Sequence, residues 1–156
     1  MKKIIIASLL AATLTGCATS HQPHGNFVLS ESAQHPIATD AVKQLAALYP
    51  PAKTSFELKQ AAVDEFGQTM ISQMRERGYA LYEYQPPIKG AKAAEALASE
   101  TPKKAAGTLP LNYLLDQAGD SNLYRLTLTV GDSSITRPYL EQNGSFLPAG
   151  YWVRKE

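Results

Sequence analysis

Residues 123–130 read Leu123-Tyr124-Arg125-Leu126-Thr127-Leu128-Thr129-Val130 and carry the clearest periodicity in the chain. Apolar or aromatic side chains occupy the even positions from 124 to 130, and polar side chains occupy the odd positions between them. Successive side chains of a β-strand point to opposite faces of the sheet, so this alternation predicts a strand with one apolar and one polar face.

The residues after this strand predict a series of antiparallel strands. Gly131-Asp132 is typical of a turn, and residues 135–140 form the returning strand. Pro138 removes a backbone donor from that strand, so we expect the strand to lie at a sheet edge or to carry a bulge. Asn143-Gly144 is a strong hairpin signal and leads into a last strand, predicted over 145–153. A strand around Leu111, Tyr113 and Leu115 precedes the series.

The first half of the domain mixes helices with short strands. Helical spacing begins after Pro36 and ends before Pro50-Pro51, and a short strand follows at Phe56 and Leu58. A second helix is predicted over about 61–77, with Gly78 after its end and a strand over 79–84. Its predicted buried stripe consists of Val63, Phe66, Met70, Ile71 and Met74. The fold class is therefore α+β, a small single domain over 37–156 with two helices and an antiparallel sheet.

Residues 86–108 differ in composition from the rest of this domain. They are rich in alanine and lysine, are interrupted by proline and glycine, and contain few large apolar side chains. We expect a long flexible loop at about 86–108. Composition leaves open whether that loop is functional or a tolerated solvent-exposed insertion.

The N-terminus predicts a lipoprotein signal peptide over residues 1–16. Lys2 and Lys3 precede an uncharged stretch, Ile4–Leu14, that is too short to span a bilayer. The stretch ends in Leu14-Thr15-Gly16-Cys17, the pattern of a lipobox, which predicts cleavage before Cys17 and acylation of that cysteine. An ordinary secretory signal with a chance cysteine, or an uncleaved anchor, is the alternative.

Acyl chains on Cys17 would hold the mature protein to a membrane, because two or more chains anchor stably where one does not. Position 18 is alanine and not the aspartate that favours inner-membrane retention, which predicts the outer membrane with the domain in the periplasm. Residues 17–36 are polar and rich in turn formers, and are predicted to be a lipidated flexible spacer.

Charge and cysteine content argue against a nucleic-acid-binding protein and against a disulfide-stabilised one. Loss of Lys2 and Lys3 changes the formal net charge from +1 to −1, so no basic footprint for direct nucleic-acid binding is present. Cys17 is the only cysteine, and once acylated it leaves the mature chain without a disulfide.

The sequence contains no recognisable catalytic or cofactor motif. His21, His24 and His35 lie in or beside the spacer, and no carboxylate or thiol that could join them at a metal site is near. Asp64-Glu65 and Glu76 are interpreted as a solvated helix face. We therefore expect no enzyme activity, no metal, no cofactor and no small-molecule substrate.

Three arginines on predicted strands allow two interpretations. Arg125, Arg137 and Arg154 could align across paired strands as a cationic ladder, or they could form exposed ion pairs. Exposed ion pairing is the favoured interpretation.

Several segments together resemble the TrbH family of conjugal transfer lipoproteins. They are the lipobox, residues 45–51 (Leu-Ala-Ala-Leu-Tyr-Pro-Pro), Phe66-Gly67 with Arg77-Gly78-Tyr79, residues 123–128, and residues 148–156 (Pro-Ala-Gly-Tyr-Trp-Val-Arg-Lys-Glu). The resemblance implies a component of a plasmid mating-pair-formation apparatus, a type IV secretion system. It implies other proteins of that apparatus as partners, and it transfers no functional residue besides Cys17.

A tethered domain without an active site is expected to act as a scaffold or adaptor. Exposed strand edges near Pro138 or over 145–153 could pair with a partner strand. The candidate partner-binding residues are Pro138, Phe146, Tyr151 and Trp152. A generic envelope lipoprotein that binds peptidoglycan or assists outer-membrane assembly is the alternative function.

Overall fold

The computed structural model describes residues 31–86 and 104–156. The lipobox, Cys17, most of the predicted spacer and most of the predicted loop lie outside the described residues. In chain order the elements are α1 (Glu31–Leu48), β1 (Ser55–Leu58), α2 (Glu65–Glu76), β2 (Ala80–Tyr82), β3 (Leu109–Gln117), β4 (Leu123–Val130), β5 (Ser133–Gln142), β6 (Ser145–Pro148) and β7 (Val153–Lys155). These two helices and one sheet confirm the α+β class.

The sheet has seven strands in the order β2-β1-β3-β4-β5-β6, and β7 also pairs with β5. From β3 onward every pairing is antiparallel, as predicted. β1, however, pairs in parallel with both β2 and β3. Parallel neighbours need a crossover connection, which α2 supplies between β1 and β2. The sheet is therefore mixed, with a parallel part that the local sequence pattern did not predict.

The core lies between the two helices and one face of the sheet. The fully buried side chains of the strands recur at alternate positions, and α1 and α2 contribute the apolar stripes that cover them. The central members from the sheet are Phe56, Leu58, Leu111, Tyr113, Leu115, Leu126, Leu128 and Tyr139, and those from the helices are Ile37, Leu45, Phe66, Met70 and Met74. The opposite face of the sheet carries the polar and less buried positions of each strand.

Of the two alternatives predicted for the strand with Pro138, an edge position or a bulge, the edge position was wrong. β5 is an internal strand, with β4 on one side and β6 and β7 on the other. Pro138 faces the gap between β6 and β7, where its carbonyl accepts a hydrogen bond from Ala149 N–H at 2.9 Å. The missing donor is tolerated because no strand residue lies opposite it on that side.

The last predicted strand, 145–153, is two strands in the structure. β6 ends at Pro148 and β7 begins at Val153, with residues 149–152 leaving the ladder between them. Pro148 has no N–H and Gly150 has no side chain to pack, so this stretch favours a break. The hairpin turn before β6 is confirmed, since Asn143 and Gly144 both have positive φ, as a type I′ turn requires.

α1 begins at Glu31, so the predicted start of the domain at residue 37 falls inside a helix. Pro36 lies within the helix and removes one intrahelical donor. Two features favour the longer helix. Ile37 and Ala38 are fully buried, and the side-chain amide oxygen Oε1 of Gln34 accepts a hydrogen bond from Phe66 N–H at 2.6 Å, which ties the start of α1 to the start of α2.

α2 is shorter than predicted at its N-terminus. Asp64 is the N-cap, and its carboxylate accepts a hydrogen bond from Gly67 N–H at 2.9 Å. Val63 precedes this cap and is 80% exposed, so its predicted place in the buried stripe was wrong. The interpretation of Asp64 as a solvated-face residue was also wrong, because an N-cap carboxylate is held by the backbone of the first turn.

The C-terminal end of α2 is as predicted. Gly78 has a φ of +86°, and its N–H donates to the carbonyl of Arg75, while Tyr79 N–H donates to that of Met74. These two bonds form a Schellman motif. The strand that follows covers only Ala80–Tyr82 of the predicted 79–84, and the buried Tyr79 hydroxyl donates instead to the Tyr49 carbonyl at 2.6 Å.

Tyr113 joins the sheet to the start of α2. Its hydroxyl donates to the Asp64 carboxylate at 2.5 Å, and its ring lies 5.2 Å from that of Phe66, centroid to centroid. A Cβ atom on Gly67 would lie 2.1 Å from the Tyr113 hydroxyl oxygen. Only glycine therefore lets α2 approach β3 closely enough for the N-cap to bind the tyrosine.

Gly67→Ala should destabilise the protein, because the added methyl group must displace Tyr113 or the helix. Overpacking of this kind costs about 1–3 kcal/mol in the free energy of unfolding. Urea denaturation of the variant beside Gln68→Ala, an exposed position on the same helix, measures the loss. Equal unfolding free energies for wild type and Gly67→Ala would contradict the close approach.

Stability should also fall at alkaline pH through Tyr113. Burial, and then the hydrogen bond to Asp64, raise the pKa of this phenol well above its ordinary value. The unfolded chain loses the proton near pH 10 while the folded chain keeps it, so the contribution is full below pH 10 and declines above it, by about 1.4 kcal/mol per pH unit. Tyr113→Phe should show a shallower decline of unfolding free energy above pH 10. An unchanged slope would rule out this role.

Candidate functional site

A half-buried polar cluster joins α1 to the C-terminal strands. Arg137 of β5 points to the helix-covered face, where its Nη1 atom lies 3.0 and 2.8 Å from the two carboxylate oxygens of Asp40 on α1. The Tyr139 hydroxyl donates to the same carboxylate at 2.6 Å. The side chains of Arg137 and Asp40 are 19% and 24% exposed. Burial, and then the Asp40 carboxylate, raise the pKa of Tyr139, so the phenol stays a neutral donor.

Arg137 also holds the residues between β6 and β7. Its Nε–H donates to the Gly150 carbonyl at 2.8 Å. Its guanidinium carbon lies 5.9 Å from the centre of the Trp152 ring and 6.0 Å from that of Tyr139, within the range of cation–π contacts. One side chain thus contacts α1, its own strand and the C-terminal loop, Ala149–Trp152.

The loop leaves the ladder after β6 and returns to it at β7. The loop packs closely against Pro138 of β5, since a Cβ atom on Gly150 would lie 3.0 Å from the Pro138 ring. After the loop, the ladder resumes with Val153 opposite Thr136.

The loop and its flanking strands expose three large apolar side chains. Tyr151 is 91% exposed, Val153 is 65% exposed and Leu147 is 50% exposed. Leu147 lies opposite Leu140 and Val153 opposite Thr136, positions of β5 that alternate with the buried Ile135 and Tyr139. Leu147 and Val153 therefore lie on the face that the helices leave uncovered. We refer to Leu147, Tyr151 and Val153 as the C-terminal surface.

The structure brings the predicted partner-binding residues to one region but gives them different roles. Phe146 is buried, with its ring 4.9 Å from that of Tyr124. Trp152 is partly buried against the core beside Arg137, and Pro138 lies beneath Gly150. Of the four, Tyr151 alone is fully available to a partner.

The three arginines do not form a cationic ladder. Arg125 pairs with Asp116 across β3 and β4, with Nε 3.0 Å from the carboxylate oxygen, and Arg154 pairs with Glu156 at 3.0 Å. These two are exposed ion pairs, as the favoured interpretation predicted. Arg137 differs, because its partner Asp40 is on a helix and both groups are half-buried. No local sequence pattern indicates this pair, because 97 positions separate Asp40 from Arg137.

A second concave region lies at the opposite end of the sheet. It has a volume of about 470 Å³ and is lined by residues including Glu57, Lys59, Tyr82 and Lys104. The Glu57 carboxylate lies 2.6 Å from Lys104 Nζ and 2.7 Å from Lys59 Nζ, and these lysines, Lys104 first, lower its pKa. The lining carries a second glutamate, Glu83, so two carboxylates face two lysines and the groove offers a ligand no strong net charge.

The described part of the chain shows no metal centre. Within residues 31–86 and 104–156, no three His, Cys, Asp or Glu side chains are grouped so that they could hold a metal ion. His35 instead lies one helical turn from Thr39, whose hydroxyl donates to the His35 carbonyl at 2.9 Å. None of the helices in the same two ranges is long and apolar enough to cross a membrane.

Comparison with known protein families shows which family the chain resembles. The sequence model described as "Conjugal transfer protein TrbH" matches residues 15–156. Comparison with curated proteins and with solved structures gave no match. The family match begins within the predicted lipobox and covers both helices, the whole sheet and the C-terminal surface. The chain therefore belongs to the TrbH family of conjugal transfer proteins.

Proposed function

We propose that the chain is a non-catalytic lipoprotein component of a plasmid conjugal transfer apparatus, a type IV secretion system, in which it acts as a scaffold or adaptor. The observation that carries this proposal is the family match over residues 15–156, which includes Gly16 and Cys17. Acylation of Cys17 would anchor the domain to the outer membrane from the periplasmic side.

The adaptor role is supported by the character of the exposed groups. The two half-buried polar clusters, Asp64 with Tyr113 and Asp40 with Arg137, are tied to packing of the domain itself. The C-terminal surface is different, since its apolar side chains have no such role within the domain. Exposed tyrosine side chains are enriched at protein contact sites.

We propose that the C-terminal surface contacts another protein of the transfer apparatus. Side-chain contact fits the geometry better than extended pairing of strand edges. β6 has four residues and β7 has three, the loop interrupts them, and Pro148 has no N–H to donate. An added partner strand would therefore find only short runs of backbone groups, whereas Tyr151 can enter a pocket on a partner.

The lipid anchor is tested by plasmid transfer frequency from donor cells. We expect deletion of the gene to lower transfer sharply, and Cys17→Ser to lower it as well, because the domain would lose its membrane tether. Blotting for the protein controls for its level. Normal transfer from the deletion strain would overturn the conjugal role of this chain and favour a general envelope role, whereas normal transfer from Cys17→Ser alone would show that the tether is dispensable.

The C-terminal surface is tested by Tyr151→Ala. We expect lower transfer frequency with unchanged protein stability, because a side chain that is 91% exposed contributes little to the fold. Tyr84→Ala is the matched control, since Tyr84 is also exposed but lies near the opposite edge of the sheet. Transfer at the wild-type level from Tyr151→Ala would contradict the proposed surface. Equal losses from both variants would contradict its location.

A further inference from the structure

We propose that Arg137 is a positioning residue for the C-terminal loop, and that it holds Tyr151 in place by tying this loop to α1 through Asp40. The inference deepens the proposed function and rests on it for the biological use of Tyr151. The geometry that carries it is the set of four contacts that meet at one guanidinium group: Asp40, Gly150, Tyr139 and Trp152.

The loop depends on Arg137 because the sheet holds it only at its two ends. Ala149 N–H bonds the Pro138 carbonyl, and ladder pairing resumes at Val153. Between these points, Arg137 bonds the loop backbone: its Nε–H donates to the Gly150 carbonyl at 2.8 Å, and the rest of the described chain shows no other such bond. Tyr151 lies between that carbonyl and the Trp152 ring, so Arg137 fixes the residues on both of its sides.

Arg137 in turn depends on Asp40. An arginine side chain has many rotamers, and ordering it costs conformational entropy. The Asp40 carboxylate accepts from Nη1 through both oxygens, which leaves Nε directed at Gly150. The Tyr139 hydroxyl, 2.6 Å from the same carboxylate, fixes the orientation of Asp40. Asp40, which lies on α1, therefore selects the Arg137 rotamer that bonds the loop.

Loss of Asp40 should release the loop indirectly, through its effect on Arg137. A half-buried guanidinium group without its carboxylate is unfavourable, so Arg137 should turn towards water. The Gly150 carbonyl would then lose its donor, and the Trp152 ring would lose the group beside it. Trp152 should become more exposed in a variant altered only at Asp40.

The sequence supplies a direct probe, because Trp152 is the only tryptophan in the chain. The experiment measures its fluorescence emission maximum and its quenching by acrylamide in wild type, Asp40→Asn and Arg137→Gln. Asp116→Asn is the matched control, since it breaks an exposed Asp–Arg pair, Asp116–Arg125, on the same sheet. Circular dichroism and cooperative urea unfolding establish that each variant is folded.

We expect a red shift and stronger quenching for Asp40→Asn and Arg137→Gln, and wild-type values for Asp116→Asn. Folded Asp40→Asn with wild-type emission would overturn the proposal, as would an equal shift in Asp116→Asn. If Arg137→Gln fails to fold, Tyr139→Phe decides, because it removes only the hydroxyl that orients Asp40, and it should give a smaller shift in the same direction. Arg137→Lys should restore emission only in part, since an ammonium group cannot reproduce the guanidinium geometry.

Transfer frequency separates this inference from the proposed function. If Tyr151→Ala transfers normally, the proposed use of the surface is wrong, while the emission data still decide whether Arg137 positions the loop. If Tyr151→Ala lowers transfer, Asp40→Asn should lower it too. A red-shifted Asp40→Asn that transfers at the wild-type level would overturn the link between loop position and function.

Discussion

The burial of a single face of the sheet is the constraint on which the rest of this structure depends. Two helices cover a seven-stranded sheet from one side, so the fully buried apolar side chains of the strands lie on that side. Close approach of α2 to β3 then requires glycine at position 67, and the same approach lets Asp64 serve both as N-cap and as acceptor for Tyr113. Helix capping and core packing thus meet at one point of contact.

Two polar clusters lie at the border of this core, one at the start of α2 and one beside α1, and they have different roles. At the α2 end, Tyr113 and Asp64 lie among well-packed aromatic rings and serve the fold. At the α1 end, Asp40 and Arg137 join a helix to a loop that the sheet does not hold. The two clusters have the same chemical parts, a carboxylate and a tyrosine hydroxyl, but only the second includes a group that reaches beyond the core.

Features that depend on neighbouring residues could be predicted from the sequence, and features that depend on distant residues could not. β4 was predicted with both of its ends correct, because alternation is a local signal, and the Gly78 and Asn143-Gly144 conformations follow from local sterics. The parallel pairing of β1 with β3 joins segments about 50 residues apart, and no periodicity encodes it. The sequence does not distinguish Arg137 from the other strand arginines, because its partner Asp40 lies on the distant helix α1. The break at 149–152 was missed because the Asn-Gly signal indicates where the strand after the turn begins and not where it ends.

The interrupted C-terminal edge has a consequence for crowding. Sheet edges with long runs of free backbone groups recruit one another and lead to aggregation. Here one edge is the three-residue β2, and the other is divided by the loop into β6 and β7. Neighbouring copies confined to the surface of a membrane, as acylation of Cys17 would confine them, collide far more often than molecules free in solution. Blunt edges of this kind would let many copies share that surface while each remains a separate folded domain.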